Sequence, residues 1–326
     1  MAFKSVCIVG PGAIGGMLAV LLLNGGYRVT ALARPGRAAA IEQRGLTLYT
    51  GGEKYYRRPL VATRAEELGQ QDLVIVTLKG GALRGLASEI AALCGPQTPV
   101  VFLMNGIPWW FFDGFGGALA GTRLQSLDPD GELAKLIPAH RIVWGVINCV
   151  VGEVDGAIVH QSMQQIELGR PDGRMDGLEK IAKVFRDAGY KTDAFPQVRN
   201  NIWVKLQANV TMNPVSALTM STLDKVLTDP FALELVIAIA QETRAVGTKL
   251  GLEVGQDPAE RLRAIGPKLN ASKTSMLYDA ERGRPLELDS VMAALLEIGD
   301  RLGVPMPNTR AVYALARVRS AALQAP

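Results

Sequence analysis

The feature that most narrows what this chain can fold into is the hexapeptide Gly10-Pro11-Gly12-Ala13-Ile14-Gly15, a G-x-G-x-x-G pattern. It follows the short apolar run of residues 4–9 and opens an apolar stretch that reads as a helix from Ala13 to Asn24. Strand, glycine turn and helix in that order form the context in which the motif binds a dinucleotide. Gly10 allows the tight turn, Gly12 lets a pyrophosphate approach the backbone, and Gly15 lets helix and strand pack closely. The helix N-terminus then offers free N–H groups and a partial positive charge to the phosphates. An ordinary glycine turn is the bland alternative.

Further strands and helices alternate behind this unit. Arg28 to Ala33 reads as a second strand, and Ala65 to Glu67 falls in a helix. Leu73 to Leu78 is an unbroken apolar strand of the kind buried on both faces of a parallel sheet. A helix near Leu83 to Leu93 and a strand from Pro99 to Met104 continue the βαβ rhythm. Residues 107–138 are rich in Gly, Pro and aromatics. Arg141 to Val151 and Ala157 to Leu168 read as strands joined near Asp155-Gly156, and Gly177 to Gly189 as a helix. After Asn200 the pattern is helical. At roughly 100–200 residues per domain, 326 residues suggest two. The expected fold is an α/β Rossmann-type N-terminal domain, residues 1–198, followed by an all-α C-terminal domain, residues 199–326.

The end of the second strand bears on the cofactor. NAD sites usually place Asp or Glu there for the ribose 2′-hydroxyl; this chain reads Leu32-Ala33-Arg34-Pro35-Gly36-Arg37. A guanidinium suits a 2′-phosphate, so NADP (NADPH) is the expected cofactor. Solvated loop arginines are the alternative. Lys79 and Asn105 each stand just past the C-terminal end of a strand. In open α/β sheets that edge lines the ligand crevice, although a strand-capping lysine and an Asn-Gly turn would look the same.

A second constellation lies in the helical half. Asn201, Lys205, Asn209 and Asn213 recur at four-residue spacing, so they share one helical face with largely apolar residues between them. A lysine there is costly unless it is paired or functional, and a solvated face is the competing reading. Pro214 is expected to kink or end this helix. Glu287 follows Pro285 and is expected to open a helix from Leu288 to Leu302, where a carboxylate suits the dipole whether or not it has another task.

At these residues the sequence resembles the ketopantoate reductases (2-dehydropantoate 2-reductases) over nearly its full length. The segments that carry the resemblance are the glycine loop, Thr77-Leu78-Lys79, Asn105-Gly106, Lys205 with Asn209 and Asn213-Pro214, Ser275-Met276-Leu277 with Asp279, and Glu287-Leu288-Asp289. The resemblance implies that Lys205 is the catalytic lysine, donating a proton to the carbonyl oxygen as hydride arrives. It implies that Glu287 hydrogen-bonds the substrate and supports that lysine, and that Asn209, Asn213 and Ser275 bind substrate. Lys79 and Asn105 would sit beside the nicotinamide and its ribose, and Arg34 would read the 2′-phosphate. A small 2-keto acid, most simply ketopantoate, is the implied substrate. This agrees with the chemistry of ketone reduction, which needs a proton donor aimed at the developing alkoxide; a partly desolvated lysine can be that donor.

Two stretches depart from the family pattern. Where the family often carries a further asparagine, this chain reads Ser221-Thr222-Leu223-Asp224. Asn105 is followed by Ile107-Pro108-Trp109-Trp110-Phe111-Phe112-Asp113-Gly114. These aromatics either pack into a core or interface, or wall a pocket for a bulkier carbonyl substrate. A related reductase for such a substrate, and a non-catalytic NADP-binding redox sensor, are the competing functions; the sensor would not need the Lys205, Asn209 and Glu287 set.

Composition excludes several other classes. The net charge is +4, with no Lys/Arg block, and no basic stretch interleaved with aromatics is expected, so neither nucleic acid nor a membrane surface is an expected partner. No apolar stretch approaches the roughly 18 residues of a spanning helix, and the N-terminus lacks the regions of a signal peptide. Cys7, Cys94 and Cys149 are too widely spaced for a metal motif or disulfide framework, and His140 and His160 add none, so no metal is expected. A reducing cytoplasm is the expected compartment, and a homodimer is compatible with the sequence.

Overall fold

The computed structural model describes residues 3–266, 269 and 271–323. Two compact units divide the chain, one comprising Met1–Met104 with Gly131–Val198 and the other Asn105–Asp130 with Arg199–Pro326.

In the first unit, β1 (Ser5–Val9) and α1 (Ala13–Asn24) flank the glycine hexapeptide. There follow β2 (Arg28–Leu32), α2 (Pro35–Arg44), β3 (Leu46–Thr50), β4 (Glu53–Arg57), β5 (Leu60–Ala62), a short 3-10 turn at Ala65–Glu67, β6 (Leu73–Val76), α3 (Gly80–Ala92) and β7 (Val100–Phe102). After residue 130 come α4 (Glu132–Leu136), β8 (Ile142–Val154), β9 (Ala157–Gly169), α5 (Leu178–Asp187) and β10 (Lys191–Ala194). Among the described residues the ten strands form one sheet, ordered β4-β3-β9-β8-β7-β6-β1-β2-β5, with β10 against β9. Its middle, β5-β2-β1-β6-β7-β8, is parallel throughout. Read in chain order, that is the 3-2-1-4-5-6 arrangement of a doubly wound sheet, whose strand order reverses between β1 and β6.

The residues explain the sheet. β6 and β7 are buried at every position, and β1 at all but its first, as unbroken apolar runs require. α1 is apolar on nearly all sides and carries Met17, Leu18, Ala19, Val20 and Leu22 with no exposure, the mark of a helix sunk in a core. The β8–β9 hairpin turns at Asp155-Gly156, both with positive φ (49° and 79°), as the right-handed strand twist favours. β4, at the sheet edge, corrects one expectation. Lys54-Tyr55-Tyr56-Arg57-Arg58 does interleave basic and aromatic residues. Arg58 is tied to the Tyr56 hydroxyl and the Gln43 carbonyl, and charge on an edge strand opposes pairing with another chain.

The second unit is helical: α6 (Val198–Thr219, beginning at the crossing), α7 (Leu223–Thr228), α8 (Pro230–Lys249), α9 (Pro258–Ile265), α10 (Ser275–Glu281), a π-turn at Asp289–Ala293, α11 (Ala294–Leu302) and α12 (Pro307–Ala322). Capping is explicit. The side chains of Asp229, Asp257 and Thr274 accept from the amides of Ala232, Ala259 and Leu277 at the starts of α8, α9 and α10. α12 has no side-chain cap of its own; the Glu242 carboxylate on α8 takes the amides of Asn308 and Thr309, each at 2.9 Å. No helix among the described residues is long and apolar enough to cross a membrane.

Residues 105–130 lie with the helices, whereas the sequence placed them in the first domain. Three ties account for this. The Ile107 amide donates to the Ser290 carbonyl at 2.8 Å. Arg199, 9% exposed, donates through Nε to the Phe111 carbonyl at 2.7 Å and through Nη2 to that of Asp113, and stacks over Trp110 and Phe115. The Glu297 carboxylate on α11 takes the Gln125 and Ser126 amides and the Ser126 hydroxyl, each at 2.9 Å. The aromatic run is therefore interior: Trp110, Phe111 and Phe112 have no exposure, Trp109 has 6%, and Phe111 meets Trp203 of α6.

Candidate active site

The cofactor-type features gather at the carboxyl ends of β1 and β6, where the strand order reverses. Gly10 has φ +87°, a conformation that suits glycine. A Cβ on Gly15 would lie 2.3 Å from the Thr77 hydroxyl and 2.5 Å from the Gly10 carbonyl, so only glycine lets α1 close on the loop. Thr77 locks that approach by donating to the Gly10 carbonyl at 2.7 Å. A Cβ on Gly12, by contrast, would meet nothing within 4 Å. The backbone at Gly12 thus faces open space. The α1 N-terminus carries no side-chain cap and no acidic residue in its first turn, so its first amides keep their donors for a ligand. An uncapped, glycine-cleared helix start fits a pyrophosphate. Pro11, Ala13 and Ile14 belong to this same turn.

Arg34, the N-cap residue of α2, lies two residues past β2, exposed and with no ion pair among the described residues. Arg37 is placed differently. Its Nε donates to the Pro11 carbonyl at 2.8 Å and its Nη2 pairs with Glu153 of β8 at 2.6 Å. Lys79 is exposed as the N-cap residue of α3, just beyond β6.

In the second unit α6 carries the four-residue stripe. Asn201, Lys205 and Asn213 are half-buried and Asn209 is 9% exposed, while Trp203, Leu206 and Val210 are fully buried between them. No member of the stripe is exposed, as residues of a solvated face would be; the exposed side of α6 includes Val204, at 44%. Pro214 neither ends the helix nor shortens it, for α6 continues to Thr219. The loss of one backbone hydrogen bond is tolerated inside a packed helix. The Asn209 amide donates to the Asn105 side-chain oxygen at 3.3 Å, bringing two of the sequence candidates together.

The two residues after Asn105 hold it in place. Gly106 has φ +84°, and a Cβ there would fall 2.5 Å from the Ser290 carbonyl oxygen. Ile107 then hydrogen-bonds that same carbonyl. Ser290 belongs to the π-turn, a local widening that often marks functional sites. Glu287 stands half-buried just ahead of it. The helix expected to start at Leu288 is this π-turn followed by α11, and Glu287 precedes it rather than opening it. Ser275 is exposed as the first residue of α10. Its neighbour Thr274 donates to the Ser216 hydroxyl of α6 at 3.3 Å. Ser216 lies three residues beyond Asn213, on the same face of α6.

Sequence reasoning missed Arg199, Ser290 and Glu297, which hold the segment after Asn105, and Glu153, which pairs with Arg37. Nothing local marks them. Among the described residues no group of three or more His, Cys, Asp and Glu side chains is placed to hold a metal. Burial pushes the Cys7 thiol up to about 12, so it stays protonated and inert.

Comparison with known proteins is decisive about kinship. Residues 6–173 match the family described as ketopantoate reductase PanE/ApbA, and residues 197–320 match its C-terminal model. The chain belongs to the ketopantoate reductase family. Within that family it is 39% identical over 316 residues to a 2-dehydropantoate 2-reductase of Mesorhizobium japonicum, with 96% of each chain covered. A solved structure of a protein assigned to the ketopantoate reductases from Ralstonia solanacearum MolK2 superposes with a TM-score of 0.91 at 39% identity, covering 98% of both chains. A 2-dehydropantoate 2-reductase from Geobacter metallireducens GS-15 gives 0.83 at 27% identity, covering 96% of this chain and 99% of its own.

Proposed function

We propose that the protein reduces 2-dehydropantoate (ketopantoate) to pantoate with NADPH. The observation that carries this reading is the 39% identity to a 2-dehydropantoate 2-reductase across 96% of both chains. The proposal extends to the role of each residue. The glycine loop holds the pyrophosphate against the α1 N-terminus, and Arg34 receives the 2′-phosphate that distinguishes NADPH from NADH. Lys79 and Asn105 border the nicotinamide and its ribose. Bound NADPH supplies the hydride. Lys205 gives a proton to the carbonyl oxygen as it becomes an alkoxide, so the ketone gains one hydride and one proton. Glu287 hydrogen-bonds the substrate and supports Lys205, while Asn209, Asn213 and Ser275 hold the substrate's polar groups.

The buried Trp109–Phe112 run favours a structural role over a wall for a bulkier substrate. The test is NADPH consumption with 2-dehydropantoate beside a panel of small and bulky 2-keto acids, with pantoate identified as product. 2-Dehydropantoate should give the highest kcat/KM. A larger value for a bulky keto acid would move the assignment to a related reductase, and NADPH binding without turnover on any of them would leave a cofactor sensor.

A further inference from the structure

Two arginines stand near the end of β2, and the structure engages them differently. Arg37, in the first turn of α2, donates through Nε to the Pro11 carbonyl at 2.8 Å and through Nη2 to Glu153 at 2.6 Å. The pair is largely shielded, with 28% and 19% of the two side chains exposed. Nε and Nη2 form the side-on fork with which a guanidinium grips a carboxylate or phosphate in two parallel bonds. Here that fork is already taken, one prong by backbone and the other by carboxylate. Arg34 remains exposed.

What Arg37 holds matters more than what it is. Pro11 is the second residue of the glycine hexapeptide, between Gly10, at φ +87°, and Gly12, the N-cap of α1. The Gly12 amide turns back on the Gly10 carbonyl at 2.8 Å, so fixing the Pro11 carbonyl fixes the peptide plane between these two constraints. Glu153 comes from β8, near the tip of the β8–β9 hairpin, where it stands opposite Ile158. A Cβ on Gly16 would lie 2.6 Å from the Ile158 side chain. The hairpin thus reaches the start of α1 twice, through Ile158 against Gly16 and through Glu153 by way of Arg37 against Pro11.

We propose that Arg37 and Glu153 are positioning residues that brace the glycine loop for the pyrophosphate, and that Arg37 takes no part in reading the 2′-phosphate. The brace serves whatever the phosphates of a dinucleotide share. Its loss therefore weakens NADPH and NADH by the same factor, whereas loss of a 2′-phosphate reader weakens NADPH alone. Glu153 contributes by neutralising Arg37 and by keeping its fork turned to the loop. The division of labour between Arg34 and Arg37 rests on the proposed use of NADPH; the brace itself does not.

Calorimetric dissociation constants for NADPH and NADH, measured on the full-length protein, test this without reference to turnover. Arg37→Ala should weaken both cofactors about tenfold, roughly 1.4 kcal/mol, leaving their ratio within about threefold of the wild type. Glu153→Gln should weaken both severalfold, and the double variant should be no worse than Arg37→Ala, because the two side chains act as one unit. A selective loss of NADPH in Arg37→Ala would make it a phosphate reader and overturn the proposal. Unchanged constants for both cofactors would overturn it too, reducing the pair to a surface ion pair. Should Arg37→Ala not fold, Arg37→Lys keeps the charge and removes the fork, and the same common loss is expected. Wild-type preference for NADPH and its collapse in Arg34→Ala report separately on the cofactor reading. If that preference is absent, an equal loss in NADH binding still tests the brace.

Discussion

At the scale of single residues the sharpest question is what Lys205 does. It is half-buried on α6, and taking a charged side chain even partly out of water is costly unless it is paired or used. As proton donor it should be worth about 10²-fold or more in kcat. Lys205→Ala is therefore expected to lose turnover on that scale while binding NADPH with little change. Turnover within a few-fold of wild type would return Lys205 to the role of a stripe residue with no chemistry. The stripe itself was legible because a helix repeats its face every three to four residues and the intervening positions are apolar. Arg37 was legible as an arginine near β2 but not as a brace, because its partner Glu153 lies 116 residues away. Ser290 was illegible for a different reason: its carbonyl, not its side chain, holds Ile107, and any residue type has a carbonyl.

At the scale of elements, the turn after Asn105 and the Glu297 carboxylate that α11 presents to residues 125 and 126 each make a prediction. Gly106 combines a left-handed backbone with a Cβ position 2.5 Å from the Ser290 carbonyl. Alanine there faces about 1–2 kcal/mol of backbone cost and an overlap that only movement of the π-turn or of Asn105 relieves. Gly106→Ala should lower the melting temperature and cut kcat/KM at least tenfold; a variant with unchanged melting and kinetics would show that the contact is slack. Glu297 is the second case. Burial alone would raise its carboxyl, but the Ser126 and Gln125 amides, the Arg301 guanidinium and the Ser126 hydroxyl outweigh this and hold it below the ordinary value. A carboxyl lowered in the folded state stabilises the protein above its unfolded pKa, and that contribution is lost as pH falls through the folded one. Glu297→Gln should thus cost about 1.5 kcal/mol near neutrality, the low end for hydrogen bonds to a charged group, and the difference from wild type should close below about pH 4. A gap that persists unchanged into acid would mean that the carboxylate charge plays no part.

At the scale of the whole molecule, the succession of a sheet-containing unit and a helical unit was visible in the sequence, and the ownership of one segment was not. The βαβ rhythm predicted the parallel centre of the sheet because fully buried strands announce themselves as apolar runs. The flanking strands β3 and β4 are mixed in polarity, and β5 at the other edge is only three residues long, so none of them carries such a signal. Residues 105–130 follow a sheet strand and read as a loop of the first domain, yet their anchors, Arg199, Ser290 and Glu297, all lie in the helical half. The chain consequently crosses between units at 104/105, 130/131 and 198/199, and a cut at residue 198 does not liberate a clean cofactor-binding domain. A fragment of residues 1–198 would keep Trp110, Phe111 and Phe112 but lose the Arg199 guanidinium stacked on Trp110 and the Trp203 ring beside Phe111. Residues with no exposure in the intact protein would then form an apolar patch of the kind that drives aggregation. Residues 1–104 joined to 131–198 by a short Gly/Ser linker retain the whole sheet, the glycine loop and the Arg37–Glu153 pair without that patch. The spliced fragment is expected to be monodisperse in size-exclusion chromatography and to bind NADH measurably by calorimetry, while the 1–198 fragment is expected to precipitate or bind a hydrophobic dye. If the continuous fragment is the well-behaved one, residues 105–130 fold with the sheet and the helical half has no claim on them.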